Sequence, residues 1–127
     1  MSELDLSDVI VDHTRWKIRL LRLVEGGDES FAASALAVAH CVFGRWLEGD
    51  GARFASRVSY REAIRAHSDF HHCAEEVVEH ARRGDKQGAQ TAMGGHFAEA
   101  SSAFTLAVAK LKRDAEKAGS EWRAASR

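Results

Sequence analysis

Apolar residues recur three or four positions apart at Leu6, Val9, Ile10, Trp16, Leu20, Leu21 and Val24. This period predicts an amphipathic helix from about Leu4 to Val24. Gly26-Gly27-Asp28 breaks the pattern and supplies a turn. A second, alanine-rich helix is predicted from about Ser30 to Leu47, with Phe31, Leu36, Val38, Phe43, Trp46 and Leu47 as its bulky residues. Gly49-Asp50-Gly51 stops it. The link from Ala52 to Val58 has room for a short turn of helix. Ser59-Tyr60-Arg61-Glu62 then reads as a capping box, in which a hydroxyl and a carboxylate satisfy the first free amides.

The third predicted helix runs from there to about Arg83, with Ile64, His67, His71, Ala74 and Val78 on one stripe, and Gly84-Asp85 ends it. The fourth is the longest, from about Lys86 to Ala118, with Met93, Phe97, Ala100, Phe104, Val108 and Leu111 in register. Gly119 is expected to end it, which leaves a bundle domain over 1–119 and a polar tail over 120–127. Four helices joined by short turns predict an all-α, antiparallel up-down-up-down four-helix bundle.

Composition supports the helical reading, because the 127 residues include no proline and the glycines fall mostly between the periodic segments. A chain of this length can bury a core without disulfides. The formal charge of -1 argues against a nucleic-acid partner or an anionic membrane surface. No apolar run approaches the roughly 20 residues that cross a bilayer, so no membrane insertion is expected. Two cysteines, Cys41 and Cys73, behind an acidic start with no signal-peptide pattern, suit the reducing cytoplasm.

The candidate chemistry changes this picture. Cys41 is a thiol inside an apolar helical pattern, and His67 and His71 stand four apart on one helix face. His13 lies on the stripe of the first helix. It falls 12 residues before Glu25, while Cys41 falls 12 after Glu29, so both stand about 18 Å from the first turn. His67 matches Cys41 in level across the second connection, and His71 is one turn further. Any one of these residues alone reads as core, since buried cysteines act as small hydrophobes and helical histidines pair with neighbours. All four at one level suggest a tetrahedral zinc shell of three imidazoles and one thiolate.

The remaining polar residues are placed by helical phase. His40 and His72 adjoin proposed ligands and so point elsewhere, toward solvent or the edge of the site. Cys73 is expected to be a free thiol outside the shell. His96 flanks the stripe of the fourth helix, where it would support the ligands or substitute for one of them. His80 has no assigned role. A closed shell of protein ligands leaves no position for a metal-bound water, so hydrolysis, and enzymatic activity generally, is not expected. Two other readings stay open: a hemerythrin-like non-haem iron bundle, which needs bridging carboxylates, and a metal-free dimerisation bundle with core histidines.

Three blocks of sequence carry a resemblance. His13-Thr14-Arg15-Trp16-Lys17, Cys41-Val42-Phe43-Gly44-Arg45-Trp46-Leu47 and His67-Ser68-Asp69-Phe70-His71 are similar, in order, to the signature blocks of the bacterial chemoreceptor zinc-binding domain. The resemblance implies a four-helix domain that holds zinc (Zn2+) through His13, Cys41, His67 and His71, between the first three helices. It also implies a homodimer that regulates a chemoreceptor or a diguanylate cyclase, and a zinc-bound cysteine that reacts with hypochlorous acid. The chain lacks a chemoreceptor signalling hairpin and a cyclase, so it is expected to be a free-standing member or a domain cut from a longer protein.

Overall fold

The computed structural model describes residues 5–26 and 42–125. Helix α1 spans Leu6–Val24. Asp5 caps it, its carboxylate accepting from the Ser7 amide at 2.9 Å. Gly26, at φ 95°, ends it in a left-handed conformation that costs glycine nothing. The stripe buries Leu6, Val9, Leu20, Leu23 and Val24, whereas Leu21 stays exposed.

The predicted second helix is described only from Val42 to Glu48, here α2; His40, Cys41 and the rest of that segment lie outside the described residues. A 3-10 turn over Asp50–Phe54 follows; it begins in the Gly49-Asp50-Gly51 stop and overlaps only the first three residues of the Ala52 to Val58 link, where the sequence has room for a short helical turn. Helix α3 spans Val58–Arg82. The predicted capping box at its start does not form, because Arg57 is the cap residue and makes no side-chain cap bond. The Ser59 hydroxyl instead donates to Asp114, and Glu62 pairs with Lys110 at 3.8 Å. Partners on a facing helix win over the local amides.

The predicted fourth helix is two helices, α4 over Lys86–Gly94 and α5 over His96–Ala125. Gly95, at φ -107° and ψ -102°, breaks them apart. Two successive glycines each carry about 1 kcal/mol less helix preference than alanine, so a kink is cheap there. Gly119 does not stop α5, which continues to Ala125 through the segment expected to be a polar tail.

The described residues form a helical bundle with no strand among them. Helix α3 packs most extensively along α5, α4 lies against α3, and α1 lies against both α3 and α5. Ser59 meets Asp114, Glu62 meets Lys110 and Glu76 meets His96, so α3 and α5 run in opposite directions. Phe70, Ala74, Val77 and Val78 of α3 face Phe97, Phe104, Val108 and Leu111 of α5 within one core. Among the described residues, no helix is long and apolar enough to cross a membrane.

Candidate metal centre

The stripe of α1 that buries Val9 and Leu20 also turns His13 inward, one helical turn beyond Val9. On α3, the stripe that runs through Ala63, Phe70 and Ala74 carries His67 and His71, which are 3% and 5% exposed. Packing α1 on α3 therefore brings three imidazoles together. The ligand atoms of His13, His67 and His71 all lie within 4.8 Å of one another. Cys41, the fourth residue singled out in the sequence, lies outside the described residues.

Hydrogen bonding fixes which nitrogens face inward. His13 Nδ1 is 2.9 Å from the Val9 carbonyl. A carbonyl can only accept, so Nδ1 carries the proton and Nε2 keeps its lone pair. A second bond of this kind is the usual brace of a metal-bound imidazole. The Nε2 atoms of His67 and His71 stand 3.0 Å apart. Two nitrogens bound to one tetrahedral zinc would be about 3.3 Å apart, given Zn–N distances of about 2.0–2.1 Å. The buried Nδ1 of His71 has no hydrogen-bond partner among the described residues.

Aromatic rings enclose the group. Phe104 of α5 lies 4.4 Å from the His13 ring, centroid to centroid, and Phe70 lies 5.1 Å from it. Phe43 of α2 meets His67 edge-on at 5.2 Å, and Trp16 lies 5.3 Å from His71. This apolar jacket disfavours a charged imidazolium. Burial lowers the pKa of His67 to about 3, with the neighbouring His71 and His13 adding to the shift. Burial, then His13, lowers that of His71 to about 4. Burial also lowers His13, against the opposing hydrogen bond to Val9. All three rings are thus neutral at physiological pH, the form in which imidazole binds metal.

The donor set is the chemical test of the site. Neutral imidazoles suit zinc, copper, nickel and iron, and zinc fits this group. Bridging carboxylates, which a hemerythrin-like di-iron centre needs, are missing from the gathered group among the described residues. The iron reading is therefore not favoured.

Other sequence expectations fare differently. His72 is exposed and Cys73 is a half-buried free thiol. His96 does not support the centre: its side chain is 75% exposed and faces Glu76 at 3.8 Å. The break at Gly95 makes it the first residue of α5 and turns it away from the stripe. Phe104 was legible in the sequence only as a core position. Its contact with two of the three imidazoles depends on how α5 lies across α1 and α3.

Fold and site together define a helical module with a preformed triad of imidazoles. The model of the chemoreceptor zinc-binding domain family matches residues 13–78, more than half of the chain, and the chain belongs to that family. The match opens on His13 and takes in His67 and His71. No curated protein and no solved structure matches it.

Proposed function

We propose that the domain binds one zinc ion through His13, His67, His71 and Cys41, and that the state of this centre regulates a bacterial signalling partner. The observation that carries the reading is the gathering of three neutral imidazole donors within 4.8 Å. In this reading the second helix completes an antiparallel up-down-up-down bundle and supplies Cys41 as the fourth donor. Bound zinc would hold the Cys41 sulfur as a thiolate near neutral pH.

A thiolate is the nucleophilic form of cysteine. Attack of its sulfur on hypochlorous acid forms a sulfenic acid and expels chloride. That oxidation removes the soft donor from the set and leaves three imidazoles on α1 and α3, so the hold on the second helix loosens. The domain acts by binding and conformation rather than by catalysis. Its output is a chemoreceptor or a diguanylate cyclase, in the cytoplasm, with the domain working as a homodimer.

The test is elemental analysis of protein purified without added metal and dialysed exhaustively, beside the His67→Ala and Cys41→Ala variants. About one zinc per chain, lost in both variants, is the expected result. A metal-free protein, or a Cys41→Ala variant that retains zinc and still releases it on hypochlorous acid treatment as the parent does, overturns the reading.

A further inference from the structure

Four further side chains of ligating type stand apart from the first group, as two pairs, His80 with Asp85 and Glu76 with His96, that are not drawn together as the three imidazoles are. Where the end of α3 meets α4 and the start of α5, an open cleft of about 490 Å³ is lined by Glu76, His80, Asp85 and His96. His80 lies nine residues beyond His71 on α3, about 13 Å along the helix axis.

The cleft depends on its glycines. A Cβ on Gly88 would stand 2.2 Å from Asp85 Oδ2 and 2.6 Å from His80 Nδ1. Any larger residue at 88 would therefore displace the His80–Asp85 pair. Asp85 is held at both oxygens, Oδ1 accepting from the Gly88 amide at 2.9 Å and Oδ2 from His80 Nδ1, also at 2.9 Å. Because a carboxylate only accepts, His80 carries its proton on Nδ1 and presents the lone pair of Nε2. A carboxylate holding one nitrogen of an imidazole so that the other can bind a metal is the recurrent arrangement around histidine ligands. Glu76 stands one turn before His80 on the same face of α3. His96 faces Glu76, Nδ1 to Oε2 at 3.8 Å.

We propose that this cleft is a second site for a divalent cation of the zinc, nickel and copper class, bound by His80, Glu76 and His96, with Asp85 orienting the His80 ring. Two imidazoles and one carboxylate suit those ions. The site is more open than the first, and binding there requires the exposed His96 side chain to rotate toward His80. Arg83, whose Nη2 lies 3.4 Å from His80 Nδ1, puts a positive charge beside the His80 ring, which disfavours a cation bound there. The inference does not rest on the reading of the His13 centre.

The experiment is calorimetric titration of the full chain with Zn2+, read as a class of binding additional to any zinc retained at purification. One further equivalent is expected. It is lost in His80→Gln and in His96→Gln, and strengthened in Arg83→Gln. Asp85→Asn weakens it about tenfold or more, the usual cost of removing an outer partner of a metal ligand. Asparagine caps helices as well as aspartate does, so this variant keeps the α4 cap. Isotherms of His80→Gln and His96→Gln that overlay that of the parent chain overturn the site, as does loss of the additional equivalent in a folded His67→Ala variant. A chain with no retained zinc but an intact additional equivalent would refute the first centre and keep the second.

Discussion

His67 and His71 face each other through their Nε2 atoms at 3.0 Å, both buried. Each ring is neutral, and the pair can share one proton or direct both lone pairs at one ion. Zinc that binds the folded chain and not the unfolded one stabilises it by mass action, by about 2.7 kcal/mol at a free concentration one hundred times the dissociation constant. Thermal unfolding of the chelator-stripped chain is expected to shift upward on adding zinc, and that of the doubly substituted His67→Ala, His80→Gln chain not to respond.

The lowered histidine pKa values set a pH dependence whose sign follows from linkage. In the unfolded chain these imidazoles take up protons as the pH falls through about 6.5, whereas in the folded chain His71 does so only at about 4 and His67 at about 3. The stabilisation is complete above about pH 6.5 and drains as the pH falls toward those folded values. The slope is up to about 1.4 kcal/mol per pH unit for each histidine. Denaturant unfolding of the metal-free protein from pH 7.5 to 5 checks this. A midpoint independent of pH would mean that the imidazoles are solvated.

Phe104 is 1% exposed and packs on His13, His67, Phe43 and Phe70. Truncation to alanine empties the middle of the α1–α3–α5 junction, at a cost of about 3–5 kcal/mol. Chemical denaturation of Phe104→Ala in the metal-free state measures it. An effect under about 1 kcal/mol would show that the junction collapses around the gap.

Tyr60 donates its buried hydroxyl to the Leu47 carbonyl, which ties the start of α3 to the end of α2. Tyr60→Phe keeps the ring and leaves that carbonyl without its partner, at a cost of about 1–3 kcal/mol. Hydrogen exchange should localise the loss to the amides of α2 and the turn that follows it. Uniformly faster exchange through α3 and α5 would contradict that assignment.

The extent of α1 and the end of α3 were legible because apolar period and glycine stops act locally, whereas the start of α3 rests in the sequence on a capping box that does not form. The break at Gly95 was not legible, since Met93 and Phe97 keep the helical phase across it and both pack against the core. The capping box at Ser59 fits every local rule, yet Asp114 and Lys110 stand 55 and 48 positions away in sequence and take both side chains. His96 fitted the depth of the site by residue counting, and the kink that precedes it turned it outward.

What the sequence by itself determined is the helical class, the stripes that carry His13, His67 and His71, and the family, since each depends on residue identity at fixed spacing. Tertiary structure alone decided that the three imidazoles meet within 4.8 Å, that Phe104 closes over them, and that His80 and Asp85 pair beside Gly88. These are distances between helices or across a turn. They follow from how side-chain volumes interlock across the core, which periodicity along one helix does not encode.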